Sequence, residues 1–455
     1  MTDLSWIDAA IAAARPRAVA ALLRYFRDLD TAEESFQEAC LRALKAWPQN
    51  GPPRDPAAWL IMVGRNAGID GARRQSKTQG LPDEAVLSDL DDAEEALAER
   101  LDGEHYRDDI LRLLFICCHP DLPATQQIAL ALRIVSGLSV AQIARAFLVS
   151  EAAMEQRITR AKARIAQSQK KNGGGAPFEA PGAVERSERL AAVAAMTYLV
   201  FNEGYSAPDP ANPDSARGGL CDEAIRLARL LLRLFPAEPE IMGLAALMLL
   251  QHARRAARFD AEGEVVLLER QDRSLWNGVM IAEGLALIDK ALRHVRPGPY
   301  QAQAAIAALH ARAARYADTD WVGIEALYAA LERLAPSPVV TLNRAAAVMQ
   351  TRGAAEALAM IEPLEARLQG YFNFHGLKGA LMLELGRRDE AREAFDRAIA
   401  LANTAHEAAY IRERLDSLAE GGAGRRRTSR GRAGPSFGPA SLGQSPNSNG
   451  SGDRP

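Results

Sequence analysis

Apolar residues recur every three or four positions through almost the whole chain, a spacing that predicts helix rather than strand. Over 32–44 the apolar positions Phe36, Cys40, Ala43 and Leu44, continued by Trp47, make one face of a helix, and Glu33, Glu34, Gln37 and Glu38 make the exposed one. The run Pro48–Pro56 is too rich in proline for helix and reads as a loop. Helical period resumes over 58–74 and places Asn66, Asp70, Arg73 and Arg74 on one polar face; Gly68 and Gly71 weaken this helix by up to ~1 kcal/mol each relative to Ala. Only Val265–Leu268 and Val339–Leu342 look strand-like, and both lie beside helical patterns. The predicted fold class is all-α.

The clearest local pattern lies between Gly137 and Ile165. Gly137-Leu138-Ser139 reads as a turn and N-cap before Val140, Ile143, Ala144 and Phe147. Ser150 caps again, and a second helix follows with Ala153 (or Met154), Ile158, Ala161 and Ile165 as its buried stripe. Two short helices joined by a tight turn, the second carrying bases on its open face, predict a helix-turn-helix. Arg157, Arg160 and Arg164 share one face, and Glu151, Ala152 and Gln156 sit at the end that would approach base edges.

Charge sharpens the picture. The chain carries a net charge of −3, yet 125–171 holds eight bases against two acids, which marks a local nucleic-acid-facing patch. Between Asp83 and Glu104 there are ten acids and one base, the pattern of a solvated linker. Composition thus divides the chain into helical blocks at 1–75, 106–170 and 183–420, an acidic linker at 76–105, a Gly-rich break at 171–182, and a Gly-, Ser-, Pro- and Arg-rich tail at 421–455 expected to be disordered. With 48% hydrophobic residues, disorder over most of the length is excluded. The longest uncharged stretches are shorter than the ~18 residues of a membrane span, and acids stand where a signal peptide carries bases. Cys40, Cys117, Cys118 and Cys221 include no Cys-x-x-Cys and no zinc spacing, and Cys117-Cys118 reads as packing. The expectation is a cytoplasmic protein with no membrane partner, no metal and no cofactor.

The segments AEESFQEACLRAL, AAWLIMVGRNAGIDGARR and LSVAQIARAFLVSEAAMEQRITRAKARI, in this order and joined by an acidic linker, resemble the extracytoplasmic-function sigma factors of the sigma-70 superfamily. The resemblance covers residues 1–170. It implies that 1–75 is sigma region 2, with Glu33, Glu34, Phe36, Gln37 and Glu38 on the helix that meets core RNA polymerase. It also implies that Asn66 and Asp70 read the −10 promoter element, that Arg73 and Arg74 hold phosphates, and that the loop 48–56 holds a flipped base. Residues 106–170 would be sigma region 4, reading the −35 element through Glu151, Ala152, Gln156, Arg157, Arg160, Lys162 and Arg164. Glu151 and Glu155 are departures that repel phosphate and leave the promoter sequence open. Trp59 reads as a core residue rather than a melting wedge.

Beyond residue 183, 342–357 aligns with 376–391 at the ~34-residue period of tetratricopeptide repeats, with Gly379, Ala391, Phe395 and Ala398 fitting the second unit. The chain then resembles sigma factors with a tetratricopeptide-like extension, whose concave surface would take a protein or peptide regulator. Asn202, Glu203, Tyr205, Glu240, Asp260, Glu269, Asp272 and Glu283 form no catalytic motif, and His252 with Arg254, Arg255 and Arg258 reads as a solvated or interdomain face of one helical segment. An initiation factor without enzymatic chemistry is the leading expectation. A non-initiating regulator or scaffold is the second, and a hidden enzyme the third.

Overall fold

A computed structural model describes residues 5–51, 53–76, 104–119, 121–147, 149–171, 183–205, 218–260, 266–402 and four positions between 408 and 415. The acidic run up to 103, the Gly-rich break, most of the loop 205–219 and the tail lie outside the described residues, as do the expectations made for them. The chain divides into two compact units, 1–200 and 201–455.

The first unit begins with α1 (Ser5–Phe26), α2 (Leu29–Asn50) and α3 (Pro56–Ser76), each packed on the other two. Leu22, Phe36, Trp47 and Leu60 form their common core. Asp28 caps α2 by accepting from Thr31 N–H, and Asp55 caps α3 by accepting from the N–H groups of Ala57 and Ala58. Pro48 does not end α2: the helix runs on to Asn50 and closes at Gly51, with φ 78°. The connecting loop is therefore shorter than the proline content predicts: Pro48 forgoes one backbone hydrogen bond, but the last turn still closes through Gly51 N–H donating to Trp47 O at 2.9 Å. Leu44, expected on the apolar face, is exposed.

Gly68 has a packing reason that propensity alone conceals. A Cβ there would overlap Phe26 Cζ and Ser35 Oγ, so α3 approaches α1 and α2 only because that position lacks a side chain. Trp59 stands edge-on to Trp47 with ring centroids 5.4 Å apart, and Trp6 stacks on Trp47 at 6.0 Å, in keeping with a packing role.

The same unit continues with α4 (Glu104–Cys117), which packs on α1 and is tied to it by the Arg24–Asp109 ion pair at 3.1 Å. Next come α5 (Ala124–Ile134), α6 (Val140–Ala146) and α7 (Glu151–Lys171), which pack on one another. Helix α8 (Ala183–Tyr205) spans the boundary between the units.

The second unit contains α9 (Gly218–Leu234), α10 (Pro239–His252), α11 (Gly278–Leu292), α12 (Pro299–Arg312), α13 (Trp321–Leu334), α14 (Pro338–Thr351), α15 (Ala354–Ile361), the short α16 (Glu365–Leu368), α17 (Phe372–Glu384) and α18 (Arg388–Leu401). Helix α10 is apolar all round and buried between its neighbours. Val339–Leu342, read as strand-like, lies in the first turns of α14 after Ser337 and Pro338, a start signal that overrides β-branched propensity. The pairs α14–α15 and α17–α18 repeat: Phe372 follows Pro338, and Arg388 follows Ala354, by the same ~34-residue step. Where α17 meets α18, a Cβ on Gly379 would lie 2.6 Å from Phe395 Cδ1, while Ala391, Phe395 and Ala398 are buried.

Candidate nucleic-acid and polymerase interface

The pair α6–α7 is built by local chemistry. Ser139 Oγ accepts from Gln142 N–H at 3.1 Å, and the Gln142 side chain accepts from Ser139 N–H at 2.8 Å, a reciprocal capping box. Gly137 takes φ 78° before it, and Ser150 Oγ accepts from Ala153 N–H at 3.2 Å to start α7. Met154, Ile158, Ala161 and Ile165 are the buried stripe of α7; Ala153 faces out. This leaves Glu151, Ala152, Gln156, Arg160 and Arg164 exposed and Arg157 half-buried, with Arg160 donating to Gln156 Oε1 at 3.2 Å.

On α3, Asn66 is exposed and Asp70 half-buried one turn later. Arg73 and Arg74 lie on the last turns of the same helix, but their side chains fall outside the described residues. On α2, Glu34 and Gln37 are exposed, and Glu38 is half-buried in an ion pair with Arg42 at 3.0 Å.

Two expected surface positions of α2 are not at the surface. Phe36 is fully buried, with the Arg15 guanidinium 4.9 Å from its ring centroid. Glu33 is 4% exposed and sits among three cations: Arg133 Nε at 2.9 Å, Lys162 Nζ at 2.9 Å and Arg15 Nη2 at 3.7 Å. Lys162 also reaches Asp30 Oδ1 at 2.6 Å, so it turns from the exposed basic face of α7 toward α2. Helical period alone assigns Glu33 to solvent; the cations that bury it come from α1, α5 and α7.

Arg15, which sequence reasoning missed, ties these helices further. Its Nε donates to Ile134 O at 3.0 Å and its Nη2 to Arg133 O at 3.1 Å, the carbonyls at the end of α5. The available signal was the pair Arg15 and Arg17, set either side of Pro16 in a stretch of α1 that is apolar before Ala14 and after Ala18. Burial holds the Arg15 pKa below its ordinary value, with Glu33 working in the other direction. The Lys162 ammonium is held above its ordinary value although burial opposes this, because hydrogen bonds to Asp30 and Glu33 outweigh the desolvation.

Four of the polar candidates of the second unit, Glu240, His252, Asp272 and Glu283, have structural partners. Glu240 accepts from the N–H groups of Tyr300 and Gln301 and from Gln301 Nε2, each at 3.1 Å, and so caps α12 from outside. Glu283 pairs with Arg229 through two hydrogen bonds of 2.9 and 2.6 Å. His252 Nε2 meets Asp222 Oδ1 at 3.1 Å, and that hydrogen bond holds the Asp222 carboxyl below its usual range. Asp272 accepts from Ser274 N–H. The expected single face of His252, Arg254, Arg255 and Arg258 does not form, because α10 ends at His252 and a 3-10 turn follows at Arg255–Ala257. Burial pushes the thiols of Cys118 and Cys221 up to about 12 and Cys40 to about 11, and Cys117 well above its ordinary value. Among the described residues no group of His, Cys, Asp and Glu gathers as a metal site, and no helix is long and apolar enough to cross a membrane.

Residues 10–78 match Sigma-70 region 2, and residues 112–165, which contain the capped helix pair, match Sigma-70 region 4. The chain is a sigma-70 factor of the extracytoplasmic-function type. Its extension matches a family of unknown function (DUF6596) over residues 189–292. An uncharacterized protein of Rhizobium meliloti (strain 1021) is 71% identical to this sigma factor over 419 residues, covering 92% of this chain and 97% of its own. No solved structure matches the sigma factor. Its two sigma regions make it a factor for promoter recognition and transcription initiation, with core RNA polymerase and promoter DNA as partners.

Proposed function

We propose that this sigma factor reads both promoter elements through the exposed faces described above and is regulated through its C-terminal helical extension. The observation that carries the reading is the outward face of α7, where Arg160 and Arg164 stand free of the core beside Gln156 at the end of a capped helix-turn-helix. In this reading Glu151, Ala152, Gln156, Arg157, Arg160 and Arg164 meet the −35 element. Asn66 and Asp70, with Arg73 and Arg74, meet the −10 element. Glu34, Gln37 and Glu38 meet the polymerase. Glu33 and Lys162 join these surfaces only when regions 2 and 4 part, exchanging one another for polymerase and DNA, while Phe36 stays in the core of α1, α2 and α3 and supports the polymerase-facing helix from inside.

The repeated helix pairs of the extension support a tetratricopeptide-like surface for a protein or peptide regulator. Run-off transcription with bacterial core polymerase on native-genome fragments, comparing the full chain with residues 1–172, tests the reading. Discrete transcripts whose yield differs between the two forms are expected. No transcripts from either, together with absent core binding, would move a non-initiating scaffold to first place.

A further inference from the structure

Four helix ends of the second unit converge on a cluster that the transcription reading does not use. Where α10 ends, Ala253 O accepts from Asn277 N–H at 2.8 Å, which brings the 3-10 turn Arg273–Leu275 alongside the turn Arg255–Ala257. Arg273 Nη1 then donates to His310 O at 2.6 Å and Ala313 O at 2.7 Å, drawing in the end of α12. The guanidinium carbons of Arg273 and Arg254 lie 4.4 and 5.8 Å from the Trp276 ring centroid. The His310 ring stands edge-on to Trp321, the first residue of α13, at 5.4 Å.

This cluster has more donors than acceptors. Arg254 Nε, Arg273 Nη2, Trp276 Nε1 and Thr319 Oγ1 are buried and without a hydrogen-bond partner, and so is His310 Nδ1. Among the described residues neither Arg254 nor Arg273 has an ion pair, and the Asp318 carboxylate is engaged by Arg315 at 2.8 and 2.9 Å. Burial, and then the charges of Arg254 and Arg273, push the His310 pKa down to about 3, so the imidazole stays neutral beside two cations. Native proteins rarely leave this many buried donors unmet. Arg254, Arg273, His310 and Trp321 keep partial exposure, so the cluster is open to a small molecule.

We infer that Arg254, Arg273, Trp276, His310 and Thr319 form a binding site for a small oxyanion, a phosphate or carboxylate group held by the guanidiniums and walled by indole rings. Both guanidiniums present the planar donors that match such a group, and the unmet N–H and O–H donors supply its remaining hydrogen bonds. The site stands on the packing of 253–260 and 266–321 alone, independent of the promoter-reading assignments.

Thermal unfolding of the full chain in inorganic phosphate, succinate and sodium chloride at matched ionic strength tests it, with calorimetric titration of the wild type as a second readout. A ligand bound to the native state raises Tm saturably. The expected result is a saturable rise with phosphate or succinate beyond that with chloride, and which of the two acts distinguishes a phosphate source from a carboxylate source. Arg254→Gln, whose parent side chain makes no hydrogen bond among the described residues, is expected to abolish the rise. Trp276→Phe, which keeps a ring and removes one donor, is expected to weaken binding several-fold. Equal shifts in all three salts with no titration heat, or a phosphate or succinate response that Arg254→Gln leaves intact, would overturn the site and assign these donors to ordered water.

Discussion

Lys162 on α7 lies 2.9 Å from Glu33 on α2, and the two side chains hold sigma regions 2 and 4 together from positions 129 residues apart. Glu33 is the more deeply buried of the two and meets Arg133 and Arg15 as well. Removing its charge leaves three cations facing one another. Glu33→Gln is therefore expected to destabilise the full chain by about 3–5 kcal/mol and Lys162→Met by about 1–2 kcal/mol. The double variant is expected to fall short of their sum, because the two changes share one interaction. Chemical denaturation of the four proteins measures the cycle, and strict additivity would disprove the coupling.

The same pair sets a pH dependence. The Lys162 pKa is raised above the ordinary 10.5, so its contribution is fully present below that value and disappears as pH rises through the folded-state pKa. The stability gap between wild type and Lys162→Met is expected to hold constant up to mildly alkaline pH and to narrow as pH rises beyond the ordinary 10.5. Urea midpoints across that range measure it; a gap that widens with pH would contradict the assignment.

Gly68→Ala sets helix propensity against packing. Alanine favours α3 by up to about 1 kcal/mol, but its Cβ has no room beside Phe26 and Ser35. Overpacking of this kind costs about 1–3 kcal/mol, so a net loss of stability is expected. A rise in Tm would show that α3 shifts to accommodate the methyl group.

Arg160 and Arg164 test the promoter surface. Each glutamine substitution is expected to weaken holoenzyme binding to promoter DNA and to reduce the slope of log affinity against log salt by about one. Both side chains are exposed and support no core packing, so the Tm of the free protein is expected to stay unchanged. Filter binding or fluorescence anisotropy over a salt series separates these effects.

What the sequence made legible was local. Ser139, Ser150, and the stripe Ile158, Ala161, Ile165 lie within a few turns of one another, so their roles follow from spacing and capping chemistry. Gly379 against Phe395 was readable because a repeat places small residues where helices cross. Glu33 was not, since the charges that bury it come from α1, α5 and α7. Gly68 read as a weakness because propensity says nothing about a helix pressed from outside. The helix end at His252 was also hidden: apolar spacing continues past it, and only Arg273 and Trp276, brought in by a distant turn, reveal why the chain bends there.

All four native thiols titrate far above neutral pH and so remain protonated under ordinary conditions. Maleimide chemistry proceeds through the thiolate. Cysteines introduced at both exposed Gln156 and exposed Glu34 would therefore take a donor and an acceptor fluorophore selectively, with the native four left in place. The separation of the two sigma regions becomes a distance that can be watched in an unaltered core, one molecule at a time, as polymerase arrives.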